Sequence, residues 1–95
     1  MPELSFRLRW PDETETLNYS PSTIVTHYLA PGNTYEIGDF MQRARRALHA
    51  ASARVEQKYG HPCSRAQATL ESIEHRASQF AERHGAMVTV MELIS

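Results

Sequence analysis

The stretch Tyr59-Gly60-His61-Pro62-Cys63-Ser64-Arg65 separates the two longest apolar stripes of the chain, and reading it as a corner between two helices decides the fold. Before it, Phe40, Ala44, Ala47, Leu48, Ala51, Val55 and Tyr59 recur every three or four residues. That is the spacing of one helix face, about 30 Å long for roughly 20 residues. Gly60 follows where a left-handed residue commonly ends a helix. After the corner, Ala66, Leu70, Ile73, Ala77, Phe80 and Ala81 form a second stripe, and Gly85 is expected to close that helix. Asp39 with Gln42, and Ser64 with Gln67, have capping-box spacing and are expected to start the two helices.

Working outward, Leu4, Phe6, Leu8 and Trp10 alternate with Ser5, Arg7 and Arg9. This is the period of a strand with one buried face, over residues 3–10. Pro11-Asp12-Glu13 predicts a tight turn and residues 14–19 a return strand. Ser20 as N-cap with Pro21 at the first helical position predicts a short helical turn carrying Ile24, Val25, Tyr28 and Leu29, stopped by Pro31-Gly32. Tyr35-Glu36-Ile37 reads as a short extended piece. Met87 to Ile94 predicts a last strand with apolar residues on both faces, hence one that is central or covered on both sides. The expected architecture is α+β: a β-hairpin, a short helical turn, an antiparallel two-helix hairpin and a C-terminal strand. Both helices should pack on one face of a three-stranded antiparallel sheet.

A chain of 95 residues with 41% hydrophobic and 22% charged content fits one folded domain over residues 1–95. One cysteine rules out an intramolecular disulfide and a cysteine-based zinc cluster. The first residues resemble no secretory signal, and no apolar run approaches the roughly 20 residues of a spanning helix, so a cytoplasmic, non-membrane protein is expected. The net charge of −1 hides a split. In residues 1–39, Glu3, Asp12, Glu13, Glu15, Glu36 and Asp39 face only Arg7 and Arg9, a net of −4. Residues 40–84 carry eight Arg or Lys against Glu56, Glu71, Glu74 and Glu82, a net of +4. Such halves attract each other within the fold or between copies.

Candidate chemistry is sparse. Cys63, just before a helix start and near Arg65, has the setting that activates a thiol, and His61 is a neighbouring base. The competing reading makes Cys63 a small apolar residue packed under the corner. Arg43, Arg46, Arg54 and Lys58 fall near one ridge of the first helix, a contact candidate for an anion, RNA or an acidic partner. The modest basic excess and the absence of interleaved aromatics disfavour nucleic acid. Tyr19, Tyr28 and Tyr35, clustered around Pro21 and Pro31, read as packing or partner contacts. Five histidines do not assemble metal-ligand spacing, and nucleotide-binding and nucleophile-elbow motifs are absent, so neither metal nor cofactor is expected.

Several blocks taken together resemble a small bacterial family of nitrogen starvation response proteins. They are Phe6-Arg7-Leu8-Arg9-Trp10-Pro11-Asp12, Tyr19-Ser20-Pro21-Ser22-Thr23, Tyr28-Leu29-Ala30-Pro31-Gly32, Asp39-Phe40, and Tyr59-Gly60 with Cys63-Ser64-Arg65-Ala66. The resemblance runs over nearly the whole chain. It implies a short cytoplasmic protein encoded beside a nitrilase in a gene cluster of nitrogen metabolism, and it carries no catalytic residues. Asp12-Glu13 stands where the family pattern has Asp-Gly, which is expected to lengthen or reshape the first turn. The function expected is a non-enzymatic accessory or regulatory protein acting through protein contacts, as a homodimer or with a protein from the same cluster. The alternatives are a cysteine-dependent enzyme or redox sensor at Cys63, and a binding module on the basic ridge.

Overall fold

In a computed structural model, which describes residues 3–94, the alternating segment Leu4–Arg9 forms strand β1 and Glu15–Ser20 returns beside it as β2. The connection is a three-residue loop. Trp10 donates its N–H to the Thr14 carbonyl (2.8 Å), Glu13 donates to the Trp10 carbonyl (2.8 Å), and Glu13 takes φ 69°. A turn at Pro11-Asp12 followed by one left-handed residue matches the right-handed twist of the strands. Glu13 adopts the conformation for which glycine is the usual residue.

A 3-10 turn follows over Thr23–His27. Its cap is Ser22, whose side chain accepts the Ile24 N–H, and not Ser20 as its position before Pro21 suggested. Ser20 stays in β2 and braces the cap, its hydroxyl donating to the Ser22 carbonyl at 2.7 Å.

The sheet has four strands, not three. Thr34–Glu36 forms β3, Met87–Ile94 forms β4, and the order is β2-β1-β4-β3 with every pair antiparallel. β4 is central, as expected, but it is not covered on both sides. Its pairing with β1 shifts between Arg7 and Leu8, so that Leu8 faces Val90 whereas Phe6 faces Leu93. This bulge inserts one residue and returns Leu93 to the core face with Val88 and Val90. Apolar residues on both nominal faces of β4 thus reflect a break in alternation.

Helix α1 spans Ile37–Tyr59 and α2 spans Ser64–Ser78. The capping patterns do not mark their starts. Glu36 caps α1 by accepting from the N–H groups of Gly38 (3.1 Å) and Asp39 (3.2 Å), because β3 passes directly into the helix. Cys63 is the N-cap of α2 and makes no side-chain cap bond; Ser64 is already helical. Gly60 ends α1 at φ 85°, as expected. α2 stops at Ser78, well before Gly85, and the stripe continues through consecutive turns closed by Phe80 to Ala77, Arg83 to Phe80 and Ala86 to Arg83.

Both stripes bury against Leu4, Phe6, Leu8 and Trp10, with Tyr59 and Ala81 left exposed. Burying a side chain such as Phe6 contributes up to about 3 kcal/mol. The Trp10 indole N–H is satisfied by the Thr16 hydroxyl at 2.9 Å, so the largest core side chain brings no unpaired polar atom inside.

Candidate functional site

Because both helices cover one face of the sheet, the other face is open. β2 carries the reverse of the expected polarity there. Thr16, Asn18 and Ser20 oppose Leu8, Phe6 and Leu4 on the core side, while Leu17 and Tyr19 point outward. Asn18 is buried and tolerated because its amide donates to the Phe6 and Thr16 carbonyls and to the Thr16 hydroxyl, at 3.1–3.2 Å. Leu17 is 57% exposed.

Across the open face the register sets rows. Tyr19, Ser5 and Ile94 form one, Leu17, Arg7 and Glu92 the next, and Glu15, Arg9 and Thr89 a third. Arg7 binds Glu92 at 2.9 Å and Arg9 binds Glu15 at 3.1 Å, so the middle of the face is charged but locally neutral. Ile94 and Met87 lie exposed towards its ends. The outer edge is β2 itself, which pairs only with β1.

At the corner, Cys63, His61 and Arg65 make separate contacts. Cys63 is partly exposed, and its backbone N–H donates to the Ser52 hydroxyl at 3.2 Å. The His61 ring nitrogen Nδ1 contacts the Pro62 carbonyl at 3.3 Å. Arg65 stacks over the Tyr19 ring, 3.8 Å from its centroid. Burial, with help from the Glu3 carboxylate, holds the Tyr19 phenol above its ordinary pKa of 10.0, against the opposing pull of Arg65. Tyr19 is therefore a neutral contact residue near pH 7.

The basic ridge divides. Arg43 is a staple: its Nε sits 3.2 Å from both Asp39 oxygens, an Nη donates to the Tyr28 carbonyl at 3.3 Å, and the guanidinium lies 4.6 Å from the Tyr35 ring centroid. Tyr35 in turn accepts the Ala30 N–H on its hydroxyl (3.1 Å), and Tyr28 ends the 3-10 turn. Arg46 and Arg54 are exposed and have no ion-pair partner among the described residues. Lys58 lies 5.6 Å from the Tyr59 ring centroid. No group of three or more His, Cys, Asp or Glu among the described residues is placed to hold a metal.

Two concavities flank the fold. One, of about 550 Å³, lies between the helices over Ile37, Met41 and Ala77 beneath the Arg45–Glu74 ion pair (3.6 Å). The other, of about 290 Å³, lies where β1 ends, between Arg9, Trp10 and Pro11 on one side and Arg83 to Met87 on the other. The second was not foreseen from sequence. Its two walls are far apart in sequence and are brought together by the β1–β4 pairing and the Trp10–Phe80 stack.

The fold defines a class: a two-layer α+β protein with helices on one side of a four-stranded antiparallel sheet and an open second side. The chain belongs to the family described as nitrogen starvation-induced protein NitG, whose model matches residues 5–93. No curated protein and no solved structure matches it significantly. No described helix is long and apolar enough to cross a membrane.

Proposed function

We propose that this chain is a non-enzymatic accessory or regulatory protein of the nitrogen starvation response. It acts in the cytoplasm as a single domain, through contacts with a second copy of itself and with a protein encoded in the same nitrilase-containing gene cluster. The observation that carries this reading is the reversed polarity of β2. Shifting the strand by one residue would bury Leu17 and expose Asn18, and the fold instead supports Asn18 with internal hydrogen bonds while Leu17 stays in water. An apolar side chain displayed beside Tyr19 and a strand edge suits a protein partner.

The charge split supports the same reading. Among the described ion pairs only Asp39–Arg43 joins the acidic first part of the chain to the basic middle, leaving Arg46 and Arg54 for a partner. Membership of a family described by nitrogen starvation supplies the setting. The test is native mass spectrometry of protein purified from nitrogen-limited cells, comparing the wild type with Leu17→Glu. The wild type should run as a dimer or with a second gene product, and Leu17→Glu as a monomer with an unchanged melting temperature. A wild type that is monomeric and alone under all conditions would sink the reading.

A further inference from the structure

We propose that the 290 Å³ cavity at the end of β1 binds a small metabolite through an oxyanion, a carboxylate or a phosphate. The chain carries a net charge of −1, yet this cavity gathers Arg9, Arg83 and His84, and none of the described residues lining it is acidic. A guanidinium has five donors and no acceptor, so two arginines lining one concavity favour an acceptor-rich group such as an oxyanion. Arg9 commits one Nη to Glu15 at 3.1 Å and keeps its remaining donors. Arg83 has no carboxylate partner among the described residues.

Arg83 is also held in place. Its backbone N–H donates to the Phe80 carbonyl (3.0 Å), its carbonyl accepts from Ala86 (3.2 Å), and its guanidinium lies 5.5 Å from the Phe80 ring centroid. Phe80 is in turn stacked on Trp10, with ring centroids 6.3 Å apart. A cation fixed through its backbone and its side chain loses less freedom on binding than one on a free stem.

A backbone donor faces the same space. Val90 gives its N–H to Asn33 on the β3 side (2.9 Å), so by the alternation of an antiparallel ladder Met87 and Thr89 turn theirs towards β1. Thr89 meets Arg9, but β1 ends there, and Met87 is left facing the Pro11 side of the cavity. Trp10 and Pro11 supply an apolar wall. The concavity has room for several waters, and hence for a small organic acid or a phosphate group.

Trp10, the single tryptophan, lines the cavity and reports on it. The protein is titrated with inorganic phosphate and separately with succinate at constant ionic strength. Trp10 emission and the amide shift of Met87 are followed, with Arg83→Gln and Arg54→Gln as variants. Saturable binding of at least one anion is expected, weakened roughly tenfold to a hundredfold by Arg83→Gln and unchanged by Arg54→Gln. Which anion saturates identifies the source of the oxyanion. The inference is overturned if neither anion saturates either signal, or if Arg83→Gln binds as well as the wild type. Equal weakening by both variants also overturns it, as the mark of diffuse charge. Leu17→Glu leaves this cavity untouched, so its failure and the failure of the contact reading are separable.

Discussion

Phe80, beyond the end of α2, stacks on Trp10 at the end of β1 with an interplanar angle of 15°, while Phe40 of α1 meets the same indole edge-on at 81°. Three separate parts of the chain are thereby joined at one side chain. Phe80 is 5% exposed, and Phe80→Ala should cost about 3 kcal/mol by leaving a cavity against the indole. Urea unfolding checks this, and an unchanged midpoint would mean that the 79–85 turns are not anchored through Phe80.

Glu13 holds a positive φ without glycine's freedom, a strain of about 1–2 kcal/mol for an L-residue. Glu13→Gly relieves it but adds freedom to the unfolded chain, so a net gain of about 0.5–1 kcal/mol is expected. Glu13→Ala, which retains Cβ, should show no such gain. Thermal unfolding of the pair separates backbone strain from loss of the carboxylate.

Arg43 and its ridge neighbours should behave differently. Arg43→Ala removes the contacts to Asp39, Tyr28 and Tyr35 and should cost about 1 kcal/mol, the partly exposed ion pair supplying only a small share. Arg46→Ala and Arg54→Ala should each change stability by less than about 0.5 kcal/mol. Equal losses in all three would contradict the division of the ridge.

Asp12 gives the hairpin a pH dependence. Its carboxylate accepts the Thr14 hydroxyl (2.6 Å) and the Thr14 N–H (3.1 Å), and these bonds, the hydroxyl first, hold its pKa below the usual 3.8. A lowered carboxyl pKa stabilises the folded state fully above 3.8, and the contribution disappears as pH falls through the lower folded value. Melting curves from about pH 6 to about pH 2 should therefore show a smaller acid-induced decline for Asp12→Asn than for the wild type.

Cys63 occupies an N-cap without giving it a side-chain acceptor. Cys63→Ser supplies an oxygen able to accept from the first turn of α2 and should stabilise the protein by about 0.5–1 kcal/mol. Growth under nitrogen starvation should be unaffected by the same substitution. A starvation defect in a more stable variant would revive a chemical role for the thiol.

The strands and helices that bury long periodic stripes were legible because one residue type repeated at one spacing suffices to define them. β3 was legible only as a short extended piece: Thr34-Tyr35-Glu36 shows no period, and its pairing with Thr89, Val88 and Met87 makes it a fourth strand. Both capping boxes misled for a similar reason. The chain reaches α1 already extended in β3, so Glu36 caps first, and Cys63 is placed by its bond to Ser52 on the other helix. The spacing of Ala77 and Phe80 suits a helix and a series of turns equally, so the end at Ser78 carried no sequence signal. Among the candidate residues, Arg43 belongs by sequence to the basic ridge and Tyr28 and Tyr35 to the turns around Pro21 and Pro31; only the fold joins them in one staple. Arg9 and Arg83 were never juxtaposed, since no local pattern links the start of the chain to its last loop.

The central pairing of β1 with β4 also orders events in time. The first strand leaves the ribosome long before the strand that flanks it on the β3 side, so Phe6 and Leu8 must wait for Leu93 and Val90. Closing β4 onto β1 spans a far greater sequence separation than the hairpin does, so loop-closure entropy weighs more on that step. Assembly of the open face, and of any partner seated on it, therefore waits for β4 to dock on β1.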